Sequence, residues 1–174
     1  MPFFASPRPK DTLWGSIQSA TMLLPGIWRV STANHGGLIL SDERQAAMPE
    51  SMSETSSNYE ENVAWGRVFI AFEQEFRAAN PPLIDIEMRL AHDTVRCYHP
   101  LEYGAFTGVP VEPCDSQVLR KIAAYKAVIG CHVVTAAWGD WADWVPAGKI
   151  GVSASIVTAV DHLGFASCDM GTDR

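Results

Sequence analysis

The chain has few basic residues, no long apolar run and few cysteines. Its 13 Lys and Arg are outnumbered by 20 Asp and Glu, which gives a net charge of −7. This balance argues against duplex nucleic acid as a partner, since phosphate binding needs clustered cations. No apolar run approaches the roughly 18 residues of a membrane-spanning helix, so we expect no membrane association.

Several recognisable signatures are also missing. The first ten residues lack the basic-then-apolar order of a signal peptide, and the four cysteines are widely spaced. We therefore expect a cytoplasmic protein with reduced thiols. There is no Gly-Lys-Ser/Thr phosphate loop, no nucleophile elbow and no repeat at a solenoid period. A standard nucleotide-binding loop, an α/β-hydrolase site and a repeat fold are thereby excluded.

The composition is that of one folded domain. The 174 residues are 47% apolar and 19% charged, enough to build a core without a disulfide or a metal. We expect a flexible N-terminal arm over residues 1–12, a single α+β domain over 13–163 and a flexible tail over 164–174.

The N-terminal third predicts a meander followed by a short helix. Strands are expected over residues 14–24, 27–32 and 38–40, with turns at Pro25-Gly26 and over 34–37. Ser41 is a helix N-cap residue, and the helix should end by Pro49. A mobile loop is expected over residues 50–57.

The middle of the chain predicts helices. A capping-box pattern at residues 57–61 precedes apolar residues at helical spacing. These are Trp65, Val68, Phe69, Phe72 and Phe76. A buried strand over 66–72 is the competing interpretation. Residues 83–90 also fit either structure, and we favour a helix over 86–96, followed by a loop over 104–113.

The C-terminal third predicts a helix over residues 116–129, capped at its N-terminus by Asp115 or Ser116, and then a hairpin. Its strands are expected over 131–138 and 149–156, with three tryptophans at the tip. The predicted fold class is α+β: a small antiparallel sheet, formed by the N-terminal meander and the Trp-rich hairpin, packed by three or four helices.

A series of short motifs carries a family resemblance. In chain order they are Trp14-Gly15, Pro25-Gly26-Ile27, Val30-Ser31-Thr32, His35-Gly36-Gly37, Leu40-Ser41, Tyr59-Glu60-Glu61, Tyr98-His99-Pro100-x-x-Tyr103, Gly108, Trp138-Gly139-Asp140-Trp141 and Val145-Pro146-x-Gly148. Together they resemble an uncharacterised domain family found in proteins of proteobacterial plasmids, integrative elements and phage. The resemblance covers residues 14–155 and implies residence on a mobile element, with no activity, cofactor or active site attached. Asn62 departs from the pattern, which has an acidic residue after Glu61.

The His35-Gly36-Gly37 turn is the first candidate site. Two glycines after a histidine let backbone amides approach an anion or a reacting carbonyl closely. The structural alternative is that Gly36 and Gly37 form a tight turn and His35 packs locally. A hydrolase would also need a nucleophile and an acid, for which Cys114 and Glu60 are available, but the sequence assigns no catalytic residue.

Metal binding is the second candidate chemistry. Cys97, His99, Cys131 and His132 form two pairs, but structural zinc sites take pairs spaced by two to four residues. Adjacent residues on a strand point to opposite faces, so the second pair cannot serve one tetrahedron. We expect no metal and no cofactor.

Acidic and aromatic residues supply the remaining candidates. Glu60 and Glu61 are acid/base or metal carboxylates in one interpretation and complement a helix dipole in the other. Trp141 and Trp144, with Asp140 and Asp143 interleaved, suit a protein-binding surface, and we include the Glu60-Glu61 region in the same contact surface. Base stacking on a single strand is the rival function, although the aspartates repel a phosphate backbone. The structural alternative is that the rings fill the core beneath the hairpin.

These observations favour an accessory protein of a mobile element that acts by binding another protein, encoded by the host or by the element. Such a protein would inhibit a host defence system or regulate transfer. The alternative is a small hydrolase or nucleotide-handling enzyme with its site at the His35-Gly36-Gly37 turn. The oligomeric state is left open.

Overall fold

A meander of antiparallel strands forms the N-terminal part of the computed structural model, which describes residues 3–169. The strands are β1 (Asp11–Thr12), β2 (Gly15–Ser16), β3 (Ser19–Leu24), β4 (Ile27–Ser31), β5 (Gly36–Leu40) and β6 (Asn58–Glu60). The first two, of two residues each, form a hairpin, and the other four form a sheet of order β3-β4-β5-β6. The turn predicted at Pro25-Gly26 joins β3 to β4.

Six α-helices lie in the described part of the chain. They are α1 (Asp42–Ala46), α2 (Trp65–Ala71), α3 (Glu73–Ala79), α4 (Ile84–Tyr98), α5 (Pro100–Thr107) and α6 (Gln117–Lys126). Single 3-10 turns occur at Glu50–Met52 and Pro113–Asp115. The caps predicted at both ends of the chain are present: the Ser41 hydroxyl accepts from the Arg44 N–H, and the Ser116 hydroxyl from the Leu119 N–H.

The main hydrophobic core lies where α2, α3 and α4 pack on the four-stranded sheet. Its fully buried members include Ile27 and Leu38 from the sheet and Val68, Met88 and Val95 from the helices. Phe69 stacks on Phe76 at 4.2 Å between ring centroids. Burial of these side chains is the main stabilising term for this part of the fold.

The prediction of a helix starting near residue 57 was wrong. Asn58–Glu60 forms β6, and Tyr59 pairs with Leu38 in register and is fully buried. The Ser-x-x-Glu pattern is nevertheless meaningful, because the Glu60 carboxylate accepts hydrogen bonds from the backbone N–H groups of residues 62, 63 and 64. It caps the turn that leads into α2 instead of the start of a helix at residue 57.

Helix was the correct interpretation for both ambiguous segments, 66–72 and 83–90. The first helix is interrupted at Phe72, whose φ of −113° and ψ of 26° separate α2 from α3. The loop predicted over 104–113 was partly wrong, since α5 runs to Thr107. Pro100 occupies the first turn of α5, where its missing N–H costs nothing, so it begins a helix after ending one.

Three further strands form a separate sheet near the C-terminus. They are β7 (His132–Trp138), β8 (Gly151–Val160) and β9 (Ala166–Asp169), in the order β7-β8-β9. The predicted Trp-rich hairpin is β7-β8. The α+β class is therefore confirmed, with the meander and the hairpin in different sheets and with six helices.

The chain divides into two compact units, residues 1–111 and 112–174. We expected a single domain over 13–163 with flexible ends. Within the first unit, Phe3 packs on the core and the Trp28 indole donates to the Ser6 hydroxyl at 2.9 Å. In the second unit, β9 pairs with β8, so residues 166–169 are a sheet strand and not a tail. Residues 1–2 and 170–174 lie outside the described range.

No helix within residues 3–169 has the length and apolar character needed to cross a membrane. The longest of them, α4, has 15 residues and carries charged side chains on its exposed face.

Arg44 is a fully buried cation in the first unit. Its guanidinium donates to both carboxylate oxygens of Glu75 at 2.8 Å and to the Pro25 carbonyl oxygen at 2.8 Å. Its Cζ lies 3.6 Å from the Phe3 ring centroid and 4.6 Å from that of Phe72. Bidentate pairing and the two ring faces offset the loss of hydration.

Removing the carboxylate should destabilise the fold more than removing the cation. Glu75→Ala leaves the buried Arg44 without its counter-ion and should lower the free energy of unfolding by about 3–5 kcal/mol. Arg44→Met keeps most of the volume and leaves a carboxylate whose side chain is 42% exposed, so the loss should be smaller. Urea denaturation followed by circular dichroism measures both; a larger loss for Arg44→Met would contradict this assignment.

Candidate functional site

The tryptophan loop, residues 138–150 between β7 and β8, presents large apolar side chains at the surface of the second unit. Trp141 is 72% exposed and Trp144 is 56% exposed, and Ile150 is 76% exposed. The Trp138 ring centroid lies 5.6 Å from that of Trp141 and 6.4 Å from that of Trp144. The three rings therefore form one exposed aromatic cluster.

The loop is held in shape by its own residues. The Asp140 carboxylate accepts from the Gly148 N–H at 2.8 Å, and the Trp138 indole donates to the Ser153 hydroxyl at 3.1 Å. The Trp144 ring covers Gly151, where a Cβ would collide with it. Asp140 thus has a structural role, while Asp143 is exposed. The rings pack on the hairpin and also stay accessible.

The second unit has little buried apolar surface. Within residues 112–169 the buried hydrophobic side chains are Ala142, Val145 and Val157. Val134 and Val152 lie on the opposite face of the hairpin from Ser155 and Val157, and both are exposed. Large exposed apolar patches mark interaction surfaces in soluble proteins.

The His35-Gly36-Gly37 segment differs from its expected form. The turn spans Thr32 to His35, where the Thr32 N–H donates to the His35 carbonyl at 2.7 Å, and both glycines belong to β5. His35 is exposed and its hydrogen bonds are made by its backbone. The Glu60 carboxylate is used to cap the turn before α2, and Cys114 belongs to the second unit.

The two glycines make room for other side chains. A Cβ on Gly36 would lie 2.5 Å from Glu61 Oε2, and one on Gly37 would meet the Trp14 ring and the Tyr59 carbonyl oxygen. The Glu61 N–H donates to the Gly36 carbonyl at 3.0 Å, which extends the β5–β6 pairing. Gly36 therefore lets the Glu61 carboxylate lie over the sheet.

Glu61 lines a cleft of about 490 Å³ in the first unit, which we call the sheet cleft. Its floor is formed by strand residues, with Ser19 and Ser31 paired on neighbouring strands. Trp65 and Leu90 contribute apolar walls from α2 and α4. The volume falls within the range of small-molecule sites.

A buried polar cluster, absent from the sequence-based predictions, joins α2 to α5. Arg67 is buried, and its guanidinium lies 2.7 Å from His99 Nδ1, 3.3 Å from Glu54 and 3.4 Å from Glu102. Its Nε has no hydrogen-bond partner among the described residues. Because a guanidinium only donates, His99 Nδ1 must accept, and the proton of the neutral ring resides on Nε2. The Tyr98-His99-Pro100 motif was the only signal for this cluster.

The same cluster sets the protonation state of His99. Burial lowers the pKa of His99, the Arg67 charge lowers it further, and Glu102, Glu54 and Glu60 oppose the shift only in part. Burial alone would raise the pKa of Glu60, but three backbone N–H donors outweigh it and the net pKa is lowered. Both groups therefore support the fold in the forms present at neutral pH.

A second hydrogen-bonded series links α3, α4 and α5. His92 Nδ1 lies 3.0 Å from the Tyr103 hydroxyl, and His92 Nε2 lies 3.1 Å from Glu73 Oε2. The order carboxylate, imidazole and hydroxyl resembles that of an activated nucleophile, and burial raises the pKa of Tyr103. The series fastens α5 to the helices before it.

The cysteine–histidine pairs are divided between the two units. Cys97 and His99 lie at the end of α4, and Cys131 and His132 lie at the start of β7. His99 uses Nδ1 to accept from Arg67. Within residues 3–169, no group of three or more His, Cys, Asp or Glu side chains is arranged to hold a metal ion.

Comparison with known proteins gives one match. Residues 7–129 match the family described as Domain of unknown function (DUF7007), and because this is more than half of the chain, the protein belongs to that family. No curated protein and no solved structure matches the chain. The sheet cleft lies within the matched residues, and the tryptophan loop lies beyond them.

Acidification below neutral pH should destabilise the first unit through His99. The lowered folded pKa means that the unfolded chain, titrating near pH 6.5, binds a proton that the folded protein does not. The contribution of neutral His99 to the free energy of unfolding is fully present above about pH 6.5 and is lost as the pH falls toward the pKa of His99 in the folded protein. His99→Asn keeps an acceptor for Arg67 and should flatten this dependence between pH 5 and about pH 7. Urea unfolding at a series of pH values measures it, and equal slopes in both proteins would contradict the assignment.

Proposed function

We propose that this protein works by binding another protein through the tryptophan loop. The observation that supports the proposal most directly is the exposure of Trp141, Trp144 and Ile150 on a loop held in place by the Asp140 carboxylate. Tryptophan contributes much of the binding energy at many interfaces, and a loop that is already ordered loses little entropy on binding.

The charge around the rings indicates the kind of partner. Asp143 is exposed beside Trp144, and the whole chain has a net charge of −7. A partner surface with an apolar pocket and a basic rim complements this arrangement. Single-stranded nucleic acid would bring its phosphates against these carboxylates, which favours protein over nucleic acid.

Residence on a mobile element is part of the same proposal and is supported by the motif resemblance. An element-encoded protein of this kind would bind a host defence protein or a component of the transfer machinery. The structure offers no comparable support for a hydrolase at His35, whose imidazole is exposed while its backbone makes the turn's hydrogen bonds.

Alanine at Trp141 and Trp144 together should abolish partner capture. Each lost ring at a binding hot spot weakens affinity by about 30-fold or more, corresponding to ~2 kcal/mol. The tagged parent, the double variant and Phe165→Ala are compared in affinity capture from lysate of the organism that carries the gene. Phe165 is a matched control, because it is an aromatic side chain of the second unit that is 61% exposed and lies outside the loop.

The expected result is a protein that the parent and Phe165→Ala capture equally and the double variant does not, with unchanged circular dichroism in all three. Equal capture by the double variant would contradict the proposal. A parent that sediments as a dimer and a double variant that sediments as a monomer would assign the loop to self-association instead.

A further inference from the structure

The sheet cleft contains one carboxylate without a protein partner. Arg29 and Glu87 line the cleft but are already paired, with Arg29 Nη2 lying 2.8 Å from Glu87 Oε1. Glu61 is exposed, and its carboxylate has no hydrogen-bond donor and no cation assigned to it among residues 3–169. The charges that face the cleft therefore sum to one uncompensated negative charge.

The position of Glu61 is fixed by the backbone. It follows β6 directly, and its N–H donates to the Gly36 carbonyl at 3.0 Å. The absence of a side chain at Gly36 leaves the space that the Glu61 carboxylate occupies. The cleft thus contains an anchored acidic group, unlike a carboxylate on a free loop.

The rest of the cleft supplies an apolar wall and a polar floor. Trp65 packs edge-on against Phe69 at 5.1 Å between ring centroids, and Trp65 and Leu90 form the accessible wall of the cleft. Phe69 is buried behind them, with the Arg29 guanidinium 5.9 Å from its ring centroid. Ser19 and Ser31 lie on the floor with their hydroxyls 2.6 Å apart, and Thr21 is beside them. An aromatic wall next to a carboxylate is the environment that binds organic cations.

We propose that the sheet cleft binds a guanidinium or ammonium group on an apolar stem, with Glu61 pairing the cation and Trp65 packing against the stem. Ser19 and Ser31 accept the remaining N–H donors of the group. The net charge of −7 draws cations toward the protein and disfavours anionic ligands. This site lies in the first unit and does not depend on the role of the tryptophan loop.

The same chemistry has two sources: a free polyamine-like small molecule, or an arginine side chain of a peptide. Agmatine and the blocked peptide acetyl-Gly-Arg-Gly-amide represent them. The matching citrulline peptide has the same shape without the charge. Binding is followed by NMR on the full chain, using the backbone amide signals of Gly36 and Gly37 as reporters in the cleft.

The expected result is saturable movement of the Gly36 and Gly37 signals at about millimolar ligand, as suits a ligand of this size. Glu61→Gln should weaken binding at least about tenfold, as should the exchange of arginine for citrulline. Glu50→Gln removes an exposed carboxylate of the same unit that does not line the cleft, and should leave binding unchanged. Tighter binding of agmatine assigns the site to a free molecule, and tighter binding of the peptide assigns it to a side chain.

Four outcomes would overturn the proposal: equal binding of the citrulline peptide, equal weakening by Glu50→Gln, signal changes confined to residues outside the cleft, or no binding of either cation at about 10 mM. Succinate serves as the anionic control ligand. Saturable movement of the glycine signals by succinate in place of the cations would show that Arg29 controls the site, which also overturns it.

Discussion

A single buried guanidinium connects four parts of the first unit. Arg44 extends from α1 and donates both to the carboxylate of Glu75 on α3 and to the carbonyl of Pro25 at the turn between β3 and β4. Its flat faces are covered by Phe3 and Phe72. Because a buried cation is costly without all of its partners, these four segments must be in place together. The interruption between α2 and α3 at Phe72 is part of this arrangement, since it positions both the ring and Glu75.

The elements that the sequence predicted correctly have local signals. Pro25-Gly26 specifies its turn, and Ser41 and Ser116 specify their helix caps with short-range hydrogen bonds. The errors arise where one local pattern has two meanings. Residues 57–60 have the spacing of a capping box, yet Tyr59 is buried in the sheet, so long-range packing overrides the local pattern. Pro100 follows the end of α4 and also begins α5, and a proline in the sequence does not by itself show whether a helix ends or begins there.

The candidate sites also divide into those that a local sequence pattern predicts and those that depend on long-range packing. Trp141 and Trp144 could be identified from the sequence alone, because the order of residues shows several tryptophans clustered in one turn. The sequence also predicted Glu61, Gly36 and Gly37 as candidate site residues, the glycines for a turn and Glu61 for its carboxylate. Their proximity in the fold depends on the pairing of β5 with β6. Arg29 and Glu87 are 58 residues apart and meet only in the folded protein, where β4 and α4 both line the sheet cleft. The same holds for Arg67 and His99, which are 32 residues apart.

The small number of buried side chains in residues 112–169 has a consequence for how the molecule fluctuates. Local opening of a segment is resisted mainly by the apolar contacts that it would expose, and β7, β8 and β9 have few. The backbone hydrogen bonds of these strands should break and re-form many times while those of β4 and β5 stay closed. The tryptophan loop keeps its own hydrogen bonds, and a partner that covers it would slow the opening of the strands that carry it. Binding at the tryptophan loop would then stabilise the whole second unit, beyond the residues in contact.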